Sequence, residues 1–249
     1  MQVERTVIEE SSAFRLDAIR GVLDGSLPFA GFALRVAKAA ARLKLRHSAQ
    51  RQTVSRHVAE SGAFAGVNGG FYVSRTGLPL DWLVVDGGEI GAPTHPERPC
   101  LCLAGGDIRI GAAADARGAA GVLQAGPLLL RDGRIVDDYA EFRANAREFD
   151  SDITAERYPR TLVGVDETHV LLVVVDGRAA HSAGLYLLEC AELCRRLDAR
   201  DAMNIDGGGS SAMVVGGRLL NRPRAAWGQA EPAERSLPAA LLVFLQPRY

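Results

Sequence analysis

The sequence predicts an α+β fold, with a largely antiparallel or mixed sheet and packed helices forming a single domain over residues 1–249. Three observations predict it. Two Asp-Gly turns, at Asp86-Gly87 and Asp132-Gly133, each sit between short apolar runs, the pattern of a tight hairpin. Two further apolar runs, Thr161–Val165 and Val170–Val175, are separated by only Asp166-Glu167-Thr168-His169, too short a connection for a parallel crossover. One stretch, Leu185–Leu197, carries apolar residues at helical spacing.

The elements follow in chain order. Basic residues cluster between Arg35 and Arg56 but alternate with Ala, Val and Leu, which reads as a solvated face and not a nucleic-acid stripe. Ser48–Ser61 reads as a helix with Val54 and Val58 on one face and Gly62 as its stop. Ala63–Val67 reads as a strand, Asn68-Gly69-Gly70 as a break and Phe71–Val73 as a second strand. In the helix Leu185–Leu197, Leu187, Cys190, Ala191, Cys194 and Leu197 share the buried face, with Glu189, Glu192, Arg195 and Arg196 opposite. A strand, Ala202–Ile205, then leads into Asp206-Gly207-Gly208-Gly209-Ser210-Ser211. Ala212–Val215 follows as the returning strand, and residues 239–245 close the chain as a buried strand.

Composition narrows the function classes. Hydrophobic content of 47% with 24% charged residues is ordinary globular usage and excludes disorder. A net charge of -1 gives no bulk attraction to nucleic acid or to an anionic membrane, so neither is expected as a partner, and the oligomeric state is left open. No apolar run approaches membrane-span length, and the first residues carry acids where a secretory signal needs an apolar core. A cytoplasmic location is expected on that reading, or a secreted one if a leader has been removed. The four cysteines, Cys100, Cys102, Cys190 and Cys194, match no zinc or redox spacing and read as small buried core residues. The histidines show no ligand spacing either, so no cofactor or zinc is expected, while calcium or magnesium among the aspartates is left open.

The loop at 206–211 is the most unusual feature. Glycine lets backbone fold tightly and approach a ligand, and successive N–H groups in such a loop can cradle an anion. Asp206 adds a carboxylate, and Ser210 and Ser211 add hydroxyls. The loop is no Walker or dinucleotide turn, because a strand and not a helix follows it. A glycine-rich hairpin without a ligand is the competing reading.

The runs GAFAGVNGGFY (62–72), AGPLLLRDGRIV (125–136), RTLVGVD (160–166), VVVDGR (173–178) and DAMNIDGGGSSAMVVGGRLLNRP (201–223) together resemble the phosphodiester glycosidase family, across residues 53–245 in consistent order. The resemblance implies hydrolysis of a sugar-phosphate diester at the anomeric carbon, with a small-molecule or glycan phosphodiester as substrate. That chemistry calls for a carboxylate near the anomeric carbon and for cations and N–H donors at the departing phosphate.

Asp206 is the expected catalytic carboxylate and Asp176 the second. Arg160 and Arg178 are the expected phosphate ligands, since a guanidinium fork meets two oxygens at once. Asn68 and Gly69 are expected at the sugar, and Gly207, Gly208, Gly209, Ser210 and Ser211 at the phosphate. Each has a structural alternative: a plain turn for Asp176-Gly177, a surface ion pair for Arg160, a left-handed turn for Asn68. His181 stands open as an acid or base, or as a surface histidine. Two other functions remain in competition, a phosphodiesterase cutting P–O and a non-catalytic carbohydrate- or phosphate-binding module.

Overall fold

The computed structural model describes residues 1–144 and 153–246. Its chain opens with four long strands, β1 (Gln2–Glu10), β2 (Phe14–Val22), β3 (Pro28–Ala37) and β4 (Ala41–Gln52), followed by α1 (Val54–Ser61) and β5 (Ala65–Asn68). Short strands come next: β6 (Leu83–Val85), β7 (Gly88–Gly91), β8 (Cys100–Ala104), β9 (Asp107–Gly111), β10 (Gly121–Gln124), β11 (Leu128–Arg131) and β12 (Arg134–Ile135). After α2 (Ala140–Ala144) come β13 (Arg160–Val165), β14 (His169–Val175), α3 (Leu187–Arg196), β15 (Asp201–Asn204), β16 (Met213–Val215), β17 (Arg218–Leu219) and β18 (Leu237–Leu245).

These strands make three sheets. An eight-stranded sheet runs β1-β2-β3-β14-β13-β15-β11-β12, a five-stranded sheet β7-β6-β10-β8-β9 and another β17-β16-β5-β18-β4. Each described strand pairing is antiparallel, as the hairpin signals predict. The balance differs from the α+β expectation: three short helices stand against three sheets among the described residues, so the fold is predominantly β. The reason lies in the first 52 residues, which a sequence scan leaves largely unassigned and which form four strands.

Period-two burial explains how a sheet can be covered on both faces. In β14 the side chains of Val170, Leu172 and Val174 enter the central core, whereas Leu171, Val173 and Val175 pack with α3 on the opposite face. The central core takes residues from all three sheets, among them Leu34, Leu45, Leu101, Val163 and Leu241. Beyond the second small sheet, Val54 and Val58 of α1 pack on Val214, Ala240 and Leu242.

The two Asp-Gly turns have the geometry their residues imply. Asp86 and Gly87 take φ of 47° and 81°, Asp132 and Gly133 51° and 74°, as a type I′ hairpin requires. The helical face of α3 is buried as expected, from Leu187 through Cys194.

Three element expectations are corrected. Ser48–Gln52 belongs to β4, which pairs along β18, and the helix begins at Val54 after Thr53, whose hydroxyl accepts the Arg56 N–H at 3.2 Å. Phe71–Val73 is not a strand; only Tyr72 makes an isolated bridge, to Pro79. Finally, β16 does not return beside β15: the two strands lie in different sheets, so the glycine loop is a crossing between sheets and not a hairpin. The basic cluster is spent within the fold, with Arg35 on Asp166 and the Leu197 carbonyl, and Arg46 on Glu60 and the His57 carbonyl. No helix of the described residues is long and apolar enough to cross a membrane.

All four cysteines are buried free thiols, and burial pushes the thiols of Cys100 and Cys190 up to about 12. Little thiolate therefore exists near neutral pH, and the native protein should react with a disulfide thiol reagent far more slowly than an exposed cysteine does. Under denaturing conditions four thiols should titrate. A fast native reaction, or fewer than four thiols on unfolding, would contradict this packing.

Candidate active site

A cavity of about 340 Å³ opens where the glycine loop leaves the large sheet. Two strand ends and one crossing build it. β13 begins at Arg160, β15 ends at Asn204, and the chain from Asp206 to Ser211 then steps across to the second small sheet.

Asn68, at the end of β5, holds this crossing in place. Its side-chain NH2 donates to the Asp206 carbonyl at 2.7 Å and to the Gly69 carbonyl at 3.2 Å. Its Oδ1 accepts from the Thr161 hydroxyl at 2.7 Å and the Ala212 N–H at 3.3 Å. The residue is fully buried, and of its four bonds one goes to its own neighbour and three reach Thr161 and the two ends of the glycine crossing. Asn68 thus stands behind the loop and does not line the cavity, and Gly69 packs against Ala239, on the same inner side.

The glycines serve close packing more than anion capture. The Gly207 N–H is taken by its neighbour's Asp206 Oδ1 at 2.8 Å, and the Gly208 N–H by the Pro159 carbonyl at 2.8 Å. Ser210 and Ser211 donate their N–H groups back to Gly207 and Gly208. The expected cradle of free N–H groups is therefore largely spent within the protein. What glycine supplies is room: a Cβ at 207 would lie 2.9 Å from the Pro159 carbonyl, and one at 209 would lie 2.8 Å from Arg235 Nη2. Gly208 also holds a φ of 59°. Ser210 and Ser211 are buried beneath the loop, outside the cavity lining, and their hydroxyl oxygens make no hydrogen bond among the described residues.

Asp206 lines the cavity, with Oδ1 oriented by the Gly207 N–H, and it is the sole carboxylate lining it among the described residues. Asp176, expected as a second catalytic carboxylate, does not line it. Its Oδ1 accepts the Arg222 N–H at 2.8 Å and its Oδ2 meets His181 Nε2 at 3.2 Å, so it ties two neighbouring loops together. His181 is likewise engaged there and not at the cavity.

The arginines supply the positive charge. Arg160 lines the cavity and is only 2% exposed, yet it meets no carboxylate among the described residues. Its Nε donates to the Leu185 carbonyl at 2.9 Å, and its Nη2 to those of Ile153 and Glu156 at 2.9 and 3.1 Å. A surface ion pair is therefore the wrong description of it, and burial pulls its pKa down. Arg178 donates from Nη1 to the Arg224 carbonyl at 3.2 Å and to that of Ala225. Burial lowers its pKa first, and the like charge of Arg235 adds to that.

The guanidinium carbons of Arg160 and Arg178 each lie 5.3 Å from the centre of the Tyr158 ring, so one aromatic ring braces both cations.

Among the lining residues that escaped the sequence reading are Tyr158, Arg235 and Asn204. Tyr158 and Arg235 lie in irregular segments with no motif to mark them. Asn204 carried a usable signal, a polar residue at the inner end of an apolar strand two positions before Asp206. Away from the cavity, His95, Glu97 and Glu141 bring three donor groups within 4.8 Å, a grouping that spacing did not suggest. Arg98 already occupies Glu141 there, donating from Nε at 3.0 Å and from Nη2 at 2.7 Å.

Comparison with known proteins identifies the family. The profile of the family described as phosphodiester glycosidase matches residues 61–244. Among curated proteins, the chain is similar to the N-acetylglucosamine-1-phosphodiester alpha-N-acetylglucosaminidase of Bos taurus, at 28% identity over 189 residues, covering 71% of this chain and 36% of that protein. It is also similar to the Mus musculus protein of the same name, at 43% identity over 65 residues, 26% of this chain and 12% of that one. The chain thus spans about a third or less of the length of the curated relatives it matches. Among solved structures, the catalytic domain of the zebrafish enzyme of that name, auto-inhibited by its pro-peptide, superposes with a TM-score of 0.77 at 18% identity, covering 99% of this chain and 89% of that one. A hypothetical protein from Synechocystis gives 0.75 at 15% identity, covering 98% and 64%. Those two likenesses show the shared fold.

Replacing Asn68 by Ala should cost about 2–4 kcal/mol of stability, because the Asp206 carbonyl and the Thr161 hydroxyl would be left buried without their partner. Denaturant unfolding measures it. A loss below roughly 0.5 kcal/mol, the size of an ordinary surface change, would mean that other contacts hold the crossing.

Proposed function

Because this chain belongs to the phosphodiester glycosidase family, we propose that it hydrolyses the glycosidic bond of a sugar-1-phosphodiester. The observation that carries the reading is the content of one cavity: among the described residues it holds a single oriented carboxylate, Asp206, together with cations that meet no carboxylate of their own.

The proposed reaction uses these groups as follows. The phosphate of the substrate lies against Arg160 and Arg178, whose N–H groups meet its non-bridging oxygens. The bond between the anomeric carbon and the bridging oxygen breaks, and Asp206 stabilises or captures the positive centre left on the sugar. Water supplies the new hydroxyl at that carbon, and the bridging oxygen leaves with the phosphate as a phosphomonoester. Ordinary glycosides need a second carboxyl group to protonate a poor leaving group. A phosphate departs as a stable anion, which suits a cavity lined by one carboxylate. Asp176 then has a positioning role, through Arg222 and His181. No cofactor enters this reading.

The chain is taken as one catalytic unit, since the central core draws on all three sheets. The relatives named for N-acetylglucosamine-1-phosphodiesters make such compounds the first substrates to try. The cytoplasmic location expected from the N-terminal residues finds no support in the comparisons, where one protein of the same fold is described as a putative exported protein.

Hydrolysis in oxygen-18 water tests the bond that breaks: the label should enter the sugar, and label in the phosphate would mean P–O cleavage. Asp206→Asn should keep the fold and most substrate binding while lowering kcat by about a hundredfold or more. Normal turnover in that variant would remove Asp206 from the chemistry. Arg178→Lys should lower turnover about tenfold or more through loss of the bidentate fork, and unchanged kinetics in both Arg178→Lys and Arg160→Lys would overturn the phosphate clamp.

A further inference from the structure

Among the described residues, the positive charge lining this cavity exceeds what a phosphodiester needs. A diester carries one negative charge. The described lining sets Arg160, Arg178 and also Arg235 against one carboxylate, that of Asp206.

Arg235 is held for this place although its side chain is exposed. Immediately before it, Glu234 accepts from the Ser55 N–H at 3.0 Å and from the Ser55 hydroxyl at 2.5 Å, which fastens the segment to the first turn of α1. Shortly after it, Leu237 is buried at the start of β18. The Gly209 backbone comes so close that a Cβ there would meet Arg235 Nη2 at 2.8 Å. Among the described residues the Arg235 guanidinium has no carboxylate within ion-pair distance, and its charge is felt by Arg178 across the cavity.

We propose that Arg235 is a third phosphate contact, and that it makes this site select dianionic phosphomonoesters over monoanionic diesters. The inference rests on the reading of the cavity as a phosphodiester site. It adds that the site holds its phosphate product more tightly than its substrate. Hydrolysis at either C–O or P–O yields a monoester, whose second ionisation lies at about pH 6. Through that ionisation the ligand gains a charge that a two-arginine site would leave partly unmet.

The direction with pH follows from the ligand. Among the described residues, the charged and titratable groups around it are Asp206, Arg160, Arg178 and Arg235 on the lining, with Tyr72 and Tyr158. Glu156 acts on Arg178 from outside, and His181 is engaged with Asp176 instead. No histidine lines the cavity among the described residues. Monoester binding therefore strengthens as pH rises through about 6, and diester binding stays flat.

Calorimetric titration of the full chain with methyl phosphate and with dimethyl phosphate, at about pH 5 and about pH 7.5, tests this on both sides of the ionisation. Methyl phosphate should bind about tenfold or more tightly at the higher pH, with dimethyl phosphate unchanged. In Arg235→Gln, with its melting temperature checked, methyl phosphate should lose about tenfold at the higher pH and dimethyl phosphate less than about threefold. Methyl phosphate binding that ignores pH, or a glutamine variant that binds it as the parent does, overturns the inference. The expected pattern in a chain that hydrolyses no sugar-1-phosphodiester would uphold the third contact and overturn the hydrolase reading, so the two stand or fall separately.

Discussion

One buried amide organises this molecule. Asn68 ends a strand of one sheet, yet its bonds reach Thr161 in the large sheet and the backbone on both sides of the glycine crossing. Sheets that pack face to face are joined by apolar contact, which has no direction and leaves their relative position loosely specified. A fully satisfied polar group between them removes that freedom, because it is costly anywhere but in its own place. Asp206 is the residue whose carbonyl Asn68 holds, so the same bonds that register the sheets also place the carboxylate.

The cavity reverses the logic of the surface. On the outside, acids and bases are matched, as Arg195 and Arg196 are by Glu192. Within, three carbonyl oxygens take the Nε and Nη2 hydrogens of Arg160, and no carboxylate pairs with it among the described residues. An ion pair there would have cancelled the attraction for a ligand. Neutral acceptors and the Tyr158 ring keep the guanidinium ordered while its charge remains available. That arrangement costs stability, and the double-sided burial of β13 and β14 between two apolar clusters helps to offset it.

Much of this was legible in the residues, and the failures share one cause. Turn chemistry is local, so Asp86-Gly87 and Asp132-Gly133 announced their hairpins, and helical spacing announced α3. Strand partners are not local. Ser48–Gln52 looks helical until β18 is placed beside it, and Ala212–Val215 looks like a return strand until it is seen in another sheet. At the site, Asp206, Arg160 and Arg178 were found because motifs flank them. Asp176 belongs to an equally clear motif but faces Arg222 and His181, since sequence shows which residues are near a turn and not which way they point. Arg235 left no trace because its place depends on Glu234 gripping a helix far earlier in the chain.

The strand order also governs how the molecule comes into being. β3 and β4 are neighbours along the chain but join different sheets, and each waits for a distant partner: Gly31 meets Val175, and Leu43 meets Val243. Such pairings close very large loops before any contact rewards them, which makes assembly slow and late. β18 lies between β4 and β5, so the sheet that carries Asn68 is split until β18 arrives. During synthesis the Asp206 crossing is made before the strand that steadies its anchor, and the cavity is among the final parts to take shape. The cavity of this fold is thus complete only once β18 has taken its place between β5 and β4.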